Sequence, residues 1–302
     1  MPATAPASPP SAPACAPAIE IEGLTVRYGD FVAVDDLSLR VEAGTLFGLL
    51  GPNGAGKTTT LSCVAGLRRP TAGQVRVAGI DVVRDPQAAR PHLGFVPQHL
   101  ALYPQLSVRQ NLDIFGGLNG LSGARLRDRR DWGIALARLE GRAEAKVGSL
   151  SGGMQRRLNL AASLLHDPAV VICDEPTTGV DAQSRNHLFE TIRALHAEGR
   201  TVVYTTHYMQ EVEALCDRVA IIDRGRVVLQ ERLATLLAAP ARTEAGRRAW
   251  RVGVDADAEA VAAALAAAFD TLGPASVEAE PRTLEQVFLE VTGHALRDGE
   301  VP

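Results

Sequence analysis

Hydrophobic and polar residues alternate along Ile19 to Tyr28 and again along Phe31 to Val41, with Gly29-Asp30 between the two stretches. A period of two predicts strands, and the Gly-Asp break predicts that they join as a hairpin. Leu46 to Leu50 is instead a short unbroken apolar run, as in a strand covered on both faces. A glycine-rich bend and an amphipathic helical pattern follow it. Arg68-Arg69-Pro70-Thr71-Ala72-Gly73 predicts a turn, Gln74 to Val77 a strand, and Gly94-Phe95-Val96 another short strand closed by Pro97 and Gln98. Between His99 and Asp167 the alternation disappears. Helix-period segments, Val108 to Leu118 and Asp131 to Leu139, predict a helical insertion in an α/β core. The apolar run Ala169 to Cys173 predicts a central parallel strand, and Ala182 to Glu198 a helix. Thr201 to Thr205 reads as a strand, and Val219 to Ile222 with Arg226 to Leu229 as a hairpin joined through Asp223-Arg224-Gly225.

Past Leu229 the pattern changes scale. A strand at Trp250 to Val254, an alanine-rich helix to Phe269, a strand at Ala275 to Glu280 and a helix from Thr283 predict a small α/β accessory domain over residues 231–302. At the other end, residues 1–18 are mostly Pro and Ala, without a basic or apolar segment, and predict a disordered tail rather than a signal peptide. The main domain is expected over residues 19–230, its helical part over about 99–167.

Composition narrows the classes. The chain has 302 residues, 46% hydrophobic, enough for one large core and a smaller one. A net charge of -4 gives no electrostatic reason to expect nucleic acid as a partner. The longest apolar run, Ala260 to Phe269, is far short of the roughly 20 residues that span a bilayer. Any task at a membrane is therefore expected to run through another chain. Cys15, Cys63, Cys173 and Cys216 form no C-x-x-C pair and read as reduced thiols.

The chemistry centres on Gly51-Pro52-Asn53-Gly54-Ala55-Gly56-Lys57-Thr58-Thr59. Gly51, Gly56, Lys57 and Thr58 fit G-x-x-x-x-G-K-[ST], between an expected strand and an expected helix, as a phosphate-binding P-loop requires. Residues without a Cβ let successive N–H groups curl around a phosphate, and the helix offers the same anion its positive end. Lys57 supplies a point charge and Thr58 a hydroxyl for magnesium. Only two lysines occur, Lys57 and Lys146, in a chain that otherwise uses Arg, so a compact ammonium is kept at this loop.

Three further places carry candidate chemistry. Asp174-Glu175 stands at the carboxyl end of the Ala169 to Cys173 run, the edge where open α/β sheets bind ligands. Two readings fit it: an acidic turn before Pro176, or one acid beside magnesium and the other beside water. Ser151 precedes Gly152-Gly153 and a helix bearing Met154, Leu158, Ala161 and Leu165. It reads as an N-cap or as part of an anion-holding helix start. His207 lies just past the Thr201 to Thr205 strand, within reach of a phosphate, whereas the other six histidines show no partner pattern. Tyr28, just before the first turn, reads on the residues alone as a sheet-face aromatic.

In this order, over about Ile19 to Leu229, the motifs resemble the nucleotide-binding subunit of an ATP-binding cassette (ABC) transporter. Leu150-Ser151-Gly152-Gly153-Met154-Gln155-Arg156-Arg157-Leu158, Asp174-Glu175-Pro176-Thr177-Thr178-Gly179-Val180-Asp181 and Arg282 to Gly293 are similar to the bacterial daunorubicin and multidrug-export type. The resemblance implies an α/β P-loop ATPase with an antiparallel β subdomain and a helical subdomain. It implies that Tyr28 stacks on adenine and that Gly51 to Thr59 hold the triphosphate of ATP. Thr58, Gln98 and Asp174 would hold Mg2+, Glu175 would activate water, and Lys57, Gln98 and His207 would contact or sense the γ-phosphate. Ser151, Gly152 and Gly153 would complete the ATP site of the opposite subunit, with Asp181 along the seam. The implied partners are a second copy or a paired ATPase subunit across two ATP, and an integral membrane permease docked on Leu100 to Leu118. That arrangement sits at the cytoplasmic face of the membrane, exporting a drug-like, lipid or other substrate. The alternatives are a soluble ABC ATPase acting on nucleic acid or ribosomes, an importer subunit, and a nucleotide-binding regulator without turnover.

Overall fold

The computed structural model describes residues 17–238, 250–253, 276–279 and 283–293. Strands β1 (Pro17–Tyr28) and β2 (Phe31–Glu42) form the expected hairpin, with Tyr28 opposite Phe31 across the Gly29-Asp30 turn. The first strand starts at Pro17, inside the stretch expected as a tail to residue 18. Strands β4 (Ala72–Val77) and β5 (Ile80–Asp81) complete a four-stranded antiparallel sheet in the order β2-β1-β4-β5.

A second sheet carries the chemistry. Its strands are β3 (Leu46–Leu50), β6 (Leu93–Val96), β7 (Val170–Asp174), β8 (Thr201–Thr205), β9 (Arg218–Asp223) and β10 (Arg226–Arg232), in the order β10-β9-β3-β8-β7-β6. All neighbours run parallel except β10, which closes the edge as a hairpin with β9. The unbroken apolar runs are explained by the two faces they cover. Phe47 and Leu49 of β3 pack toward the antiparallel sheet, while Leu46 and Leu50 pack toward the opposite layer. That layer contains α6 (Ala182–Ala197), α7 (Met209–Leu215), α8 (Leu233–Ala238) and α9 (Leu284–Thr292).

The helical insertion has its own core, formed by α3 (Val108–Leu118), α4 (Gly123–Leu136) and α5 (Gly152–Ser163). Helix α3 matches its expected limits because Ser107 and Gln110 cap it reciprocally. Helix α4 differs from the segment expected at Asp131 to Leu139. It begins eight residues earlier, where exposed Arg125 and Arg127 dilute the apolar period. It stops before Arg138, whose φ of 54° leaves the right-handed region.

The alanine-rich helix expected up to Phe269 lies outside the described residues. Strands β11 (Trp250–Gly253) and β12 (Ser276–Ala279) pair antiparallel, and α9 starts after Thr283 through a second capping box with Gln286. Helix α9 buries Leu284, Val287 and Phe288 in the layer shared with α7 and α8, while β10 runs to Arg232, past the boundary expected at residue 230. Of the six histidines that show no partner pattern along the sequence, His166, His187 and His196 each place Nε2 within hydrogen-bond distance of a backbone carbonyl, of Leu93, Leu136 and Gly44 respectively. Carbonyl partners leave no trace in sequence spacing. Cys63, Cys173 and Cys216 are free thiols, and burial pushes the first two up to about 11 and about 12.

Candidate functional site

The carboxyl ends of β3, β6, β7 and β8 meet at one edge, and each delivers a predicted residue there. After β3 the chain turns through Gly51 to Gly56 into α1 (Lys57–Val64). Gly56 has φ 101°, and a Cβ there would stand 2.6 Å from the Ala33 carbonyl, so only glycine fits. The loop is braced from outside: Gly225 N donates to Ala55 O at 2.9 Å, and Asp35 N donates to Gly225 O at 3.0 Å. Within it the Lys57 ammonium donates to the carbonyls of Gly51 (2.7 Å) and Pro52 (3.0 Å). Asn53, Gly54 and Thr58 are exposed on the outer side, and Thr59 is half-buried.

Strand β7 ends at Asp174, which is buried. Its carboxylate accepts from the hydroxyls of Thr205 (2.8 Å) and Thr58. Burial raises the Asp174 carboxyl above its ordinary value, and the two hydroxyl donors oppose the rise. Burial likewise lowers the Lys57 ammonium, against the attraction of Glu175 and Asp174. Both groups therefore carry desolvated charge, which favours a ligand of opposite sign at each.

Glu175 takes φ 45°, an uncommon conformation for a residue with a side chain. It is held there by its own N–H, which donates to Thr205 Oγ1 at 2.9 Å. One Thr205 hydroxyl thus accepts from Glu175 while donating to Asp174 and sets the spacing of the two acids. Glu175 Oε2 accepts from Gln98 Nε2 (3.1 Å) and from the Thr178 hydroxyl (3.2 Å). His207 Nδ1 lies 3.5 Å from the same oxygen, an ion-pair distance when the ring is protonated, although Nδ1 has no aligned hydrogen-bond partner. Lys57, Thr58, Gln98, Asp174, Glu175 and His207 form one neighbourhood. Thr205, Thr178 and Arg156 belong with it and were not anticipated, because a strand threonine and a helix arginine look ordinary in sequence.

Ser151, Gly152, Gly153 and Asp181 form a second neighbourhood. Ser151 caps α5 by accepting from Met154 N, and Asp181 caps α6 by accepting from Ser184 N at 2.9 Å. The two caps meet at Gly153, where a Cβ would fall 2.1 Å from Ser184 Oγ and 2.8 Å from Asp181 Oδ2. At Gly152 an added Cβ meets nothing within 4 Å and no positive φ is required, so the fold itself does not need glycine there. Among the described residues no hydrogen bond or ion pair joins these four to the first neighbourhood. Arg156 makes the nearest link, donating from α5 to the carbonyls of Gln98 and Thr178.

Tyr28 stands apart from both, 44% exposed at the hairpin tip, with the Arg68 guanidinium 4.1 Å from its ring centroid. Its ring is thus not a covered sheet-face aromatic.

A P-loop joining a central parallel strand to a helix, two acids at the end of β7 with β8 between it and the P-loop strand, and a glycine-rich helix start define the class: a nucleotide-binding cassette. The family model described as "ABC transporter" matches residues 34–178. Nod factor export ATP-binding protein I of Ralstonia nicotianae is 40% identical over 93% of this chain and 95% of its own length. Daunorubicin resistance ATP-binding protein DrrA3 of Streptomyces coeruleorubidus is 40% identical over 91% of this chain and 96% of its own. Among solved structures, an ATP-binding subunit of an ABC transporter superposes with TM-score 0.67 at 28% identity, covering 72% of this chain and 91% of that one. A dimeric cassette in a post-hydrolysis state with ADP and phosphate gives TM-score 0.64 at 28% identity, covering 71% and 98%. The chain belongs to the ABC transporter family as an ATP-binding, ATP-hydrolysing subunit. Cassettes of this family dimerise.

Proposed function

We propose that this chain powers export through a separate membrane subunit, hydrolysing ATP as one half of a head-to-tail pair. The observation that carries the export reading is the extent of similarity, 91–93% of this chain, to relatives named for Nod factor export and daunorubicin resistance. Linearmycin resistance ATP-binding protein LnrL of Bacillus subtilis, 43% identical over 70% of this chain, points the same way.

In this reading Gly51 to Thr59 bind the phosphates, Lys57 neutralises the β and γ groups, and Tyr28 stacks on adenine. The Asp174 carboxylate and the Thr58 hydroxyl share one hydrogen bond, and the Gln98 amide reaches the adjacent Glu175. Oxygen donors of this kind suit Mg2+, which takes few carboxylates and completes its shell with phosphates and water. When bound, Mg2+ would neutralise charge on the phosphates. Glu175 then orients and deprotonates the attacking water, and His207, beside Glu175, reports on the γ-phosphate.

Ser151 and Gly152 face outward, on a helix start that supplies free N–H donors. A second copy would bring its own triphosphate there, so that ATP joins the pair. A groove of about 410 Å³ between the sheet domain and the helical subdomain is lined by Leu67, Phe95, Pro97, Ala101, Phe115 and Leu118. Leu67 and Leu118 are 69% and 65% exposed, more apolar surface than the fold itself requires. The groove suits an amphipathic helix of the membrane subunit, which would hold this chain at the cytoplasmic face. No helix among the described residues is long and apolar enough to cross a membrane. The test is co-purification with a candidate membrane subunit and a cysteine crosslink from Leu118→Cys. The expected result is a crosslink to a cytoplasmic segment of that subunit and ATPase stimulated in the complex. Failure of both, with a folded and ATP-binding chain, contradicts the proposal.

A further inference from the structure

Behind the catalytic edge lies a buried carboxylate that none of the roles above uses. Glu211, in the first turn of α7, is 5% exposed, and among the described residues it has no ion-pair partner. Its Oε2 accepts from three hydroxyls, of Thr206 (2.8 Å), Tyr204 (2.8 Å) and Thr177 (3.0 Å), while Oε1 is buried without a hydrogen bond. Burying a carboxylate among neutral donors costs stability that an apolar side chain would not. The donors show what is gained. Thr177 is two residues past Glu175, Tyr204 precedes the Thr205 that spaces the two acids, and Thr206 directly precedes His207. Thr206 Oγ1 also accepts from Tyr208 N at 3.0 Å, so one hydroxyl fixes the backbone on both sides of His207. Burial and the neighbouring Glu211 push the Tyr204 phenol up, so it stays protonated and donates.

From this geometry we infer that Glu211 is a positioning residue for ATP hydrolysis: it clamps the His207 loop to the Glu175 loop and acts through His207. The inference rests on the reading of His207 as a γ-phosphate contact. A clamp of this kind shapes the transition-state geometry and leaves ground-state ATP binding alone, so its removal separates kcat from KM.

The experiment uses the full chain with ATP and magnesium. Thr206→Val and Glu211→Ala are expected to lower kcat about tenfold with KM for ATP within about twofold of wild type, and Thr206→Ser to restore kcat. If Glu211→Ala does not fold, Glu211→Gln, which keeps an accepting oxygen but loses the charge, takes its place with a smaller loss. The deciding arm combines each variant with His207→Ala. A residue acting through His207 adds little further loss in that background. An equal further loss there, or a rise in KM matching the fall in kcat, overturns the clamp. A His207→Ala variant with wild-type turnover instead overturns the reading of His207, which is a distinguishable failure.

Discussion

The two motif neighbourhoods are built on opposite plans. Around Asp174 and Glu175 every carboxylate oxygen in use has a partner inside the chain, and the charges are desolvated. Around Ser151 the side chains cap helices, and among the described residues nothing lies within 4 Å of a Cβ added at Gly152. In the proposed pairing the first neighbourhood is the reaction centre, and the second supplies donors to the partner's centre. The contrast is what the proposed pairing requires: two chains, each finishing the other's pocket.

The largest expected effect comes from the first neighbourhood. Glu175→Gln keeps the hydrogen-bonding shape but loses the base, so turnover should fall by about 10²- to 10⁴-fold while ATP binding persists. That variant with ATP and magnesium should elute from gel filtration as a dimer; a strictly monomeric profile at saturation counts against the paired site. Next come substitutions in the second neighbourhood. Ser151→Ala removes a donor to the partner's phosphate and should cost about 10²-fold in kcat. It also removes a cap worth about 1 kcal/mol, which a melting curve separates from the catalytic loss. Gly152→Val should silence turnover with stability changed by less than about 0.5 kcal/mol, because its Cβ has free space. Gly153→Ala should instead destabilise the fold by about 1–3 kcal/mol, since its Cβ collides with Ser184. Equal melting temperatures for these two glycine variants would remove the contrast between them.

The smallest effect concerns pH. Burial raises the Asp174 carboxyl, so at pH values between the ordinary carboxylate value and the raised one the folded protein without nucleotide holds more of this proton than the unfolded chain does. The stability from that difference is complete below the ordinary carboxylate value of about 4 and is lost as pH rises through the raised one. Asp174→Asn should therefore flatten the fall in urea midpoint with rising pH. An unchanged slope would mean that desolvation of this acid is relieved in solution.

Much of this was legible in the residues. Apolar patterning located the strands of both sheets except β5, whose two residues are too few to show a period, because β3, β7 and β8 are covered on two faces and β1 on one. The P-loop and the acid pair were legible because their chemistry demands residues that packing alone would not choose. Helix α7 was missed: seven residues are too few to display a helical period, and its Glu211 resembles any surface acid. The polar brace of Thr205, Thr206 and Tyr204 was hidden for a related reason, since threonine and tyrosine are ordinary residues in and beside strands and nothing in their spacing shows that the hydroxyls of Thr206 and Tyr204 converge on Glu211 while that of Thr205 bridges the distant Asp174 and Glu175. Helix α4 was placed late because arginines on its exposed half masked the apolar stripe.

Subunit complementation tests the paired site most directly. Lys57→Ala disables the P-loop of one chain and Ser151→Ala the donor set of the other, and each variant alone should be nearly inactive. Mixed, they form pairs in which one pocket joins an intact P-loop to an intact Ser151, and hydrolysis should rise well above either variant alone. A mixture that hydrolyses ATP only at the mean of its two components would show that each chain works with its own serine, contradicting the shared pocket.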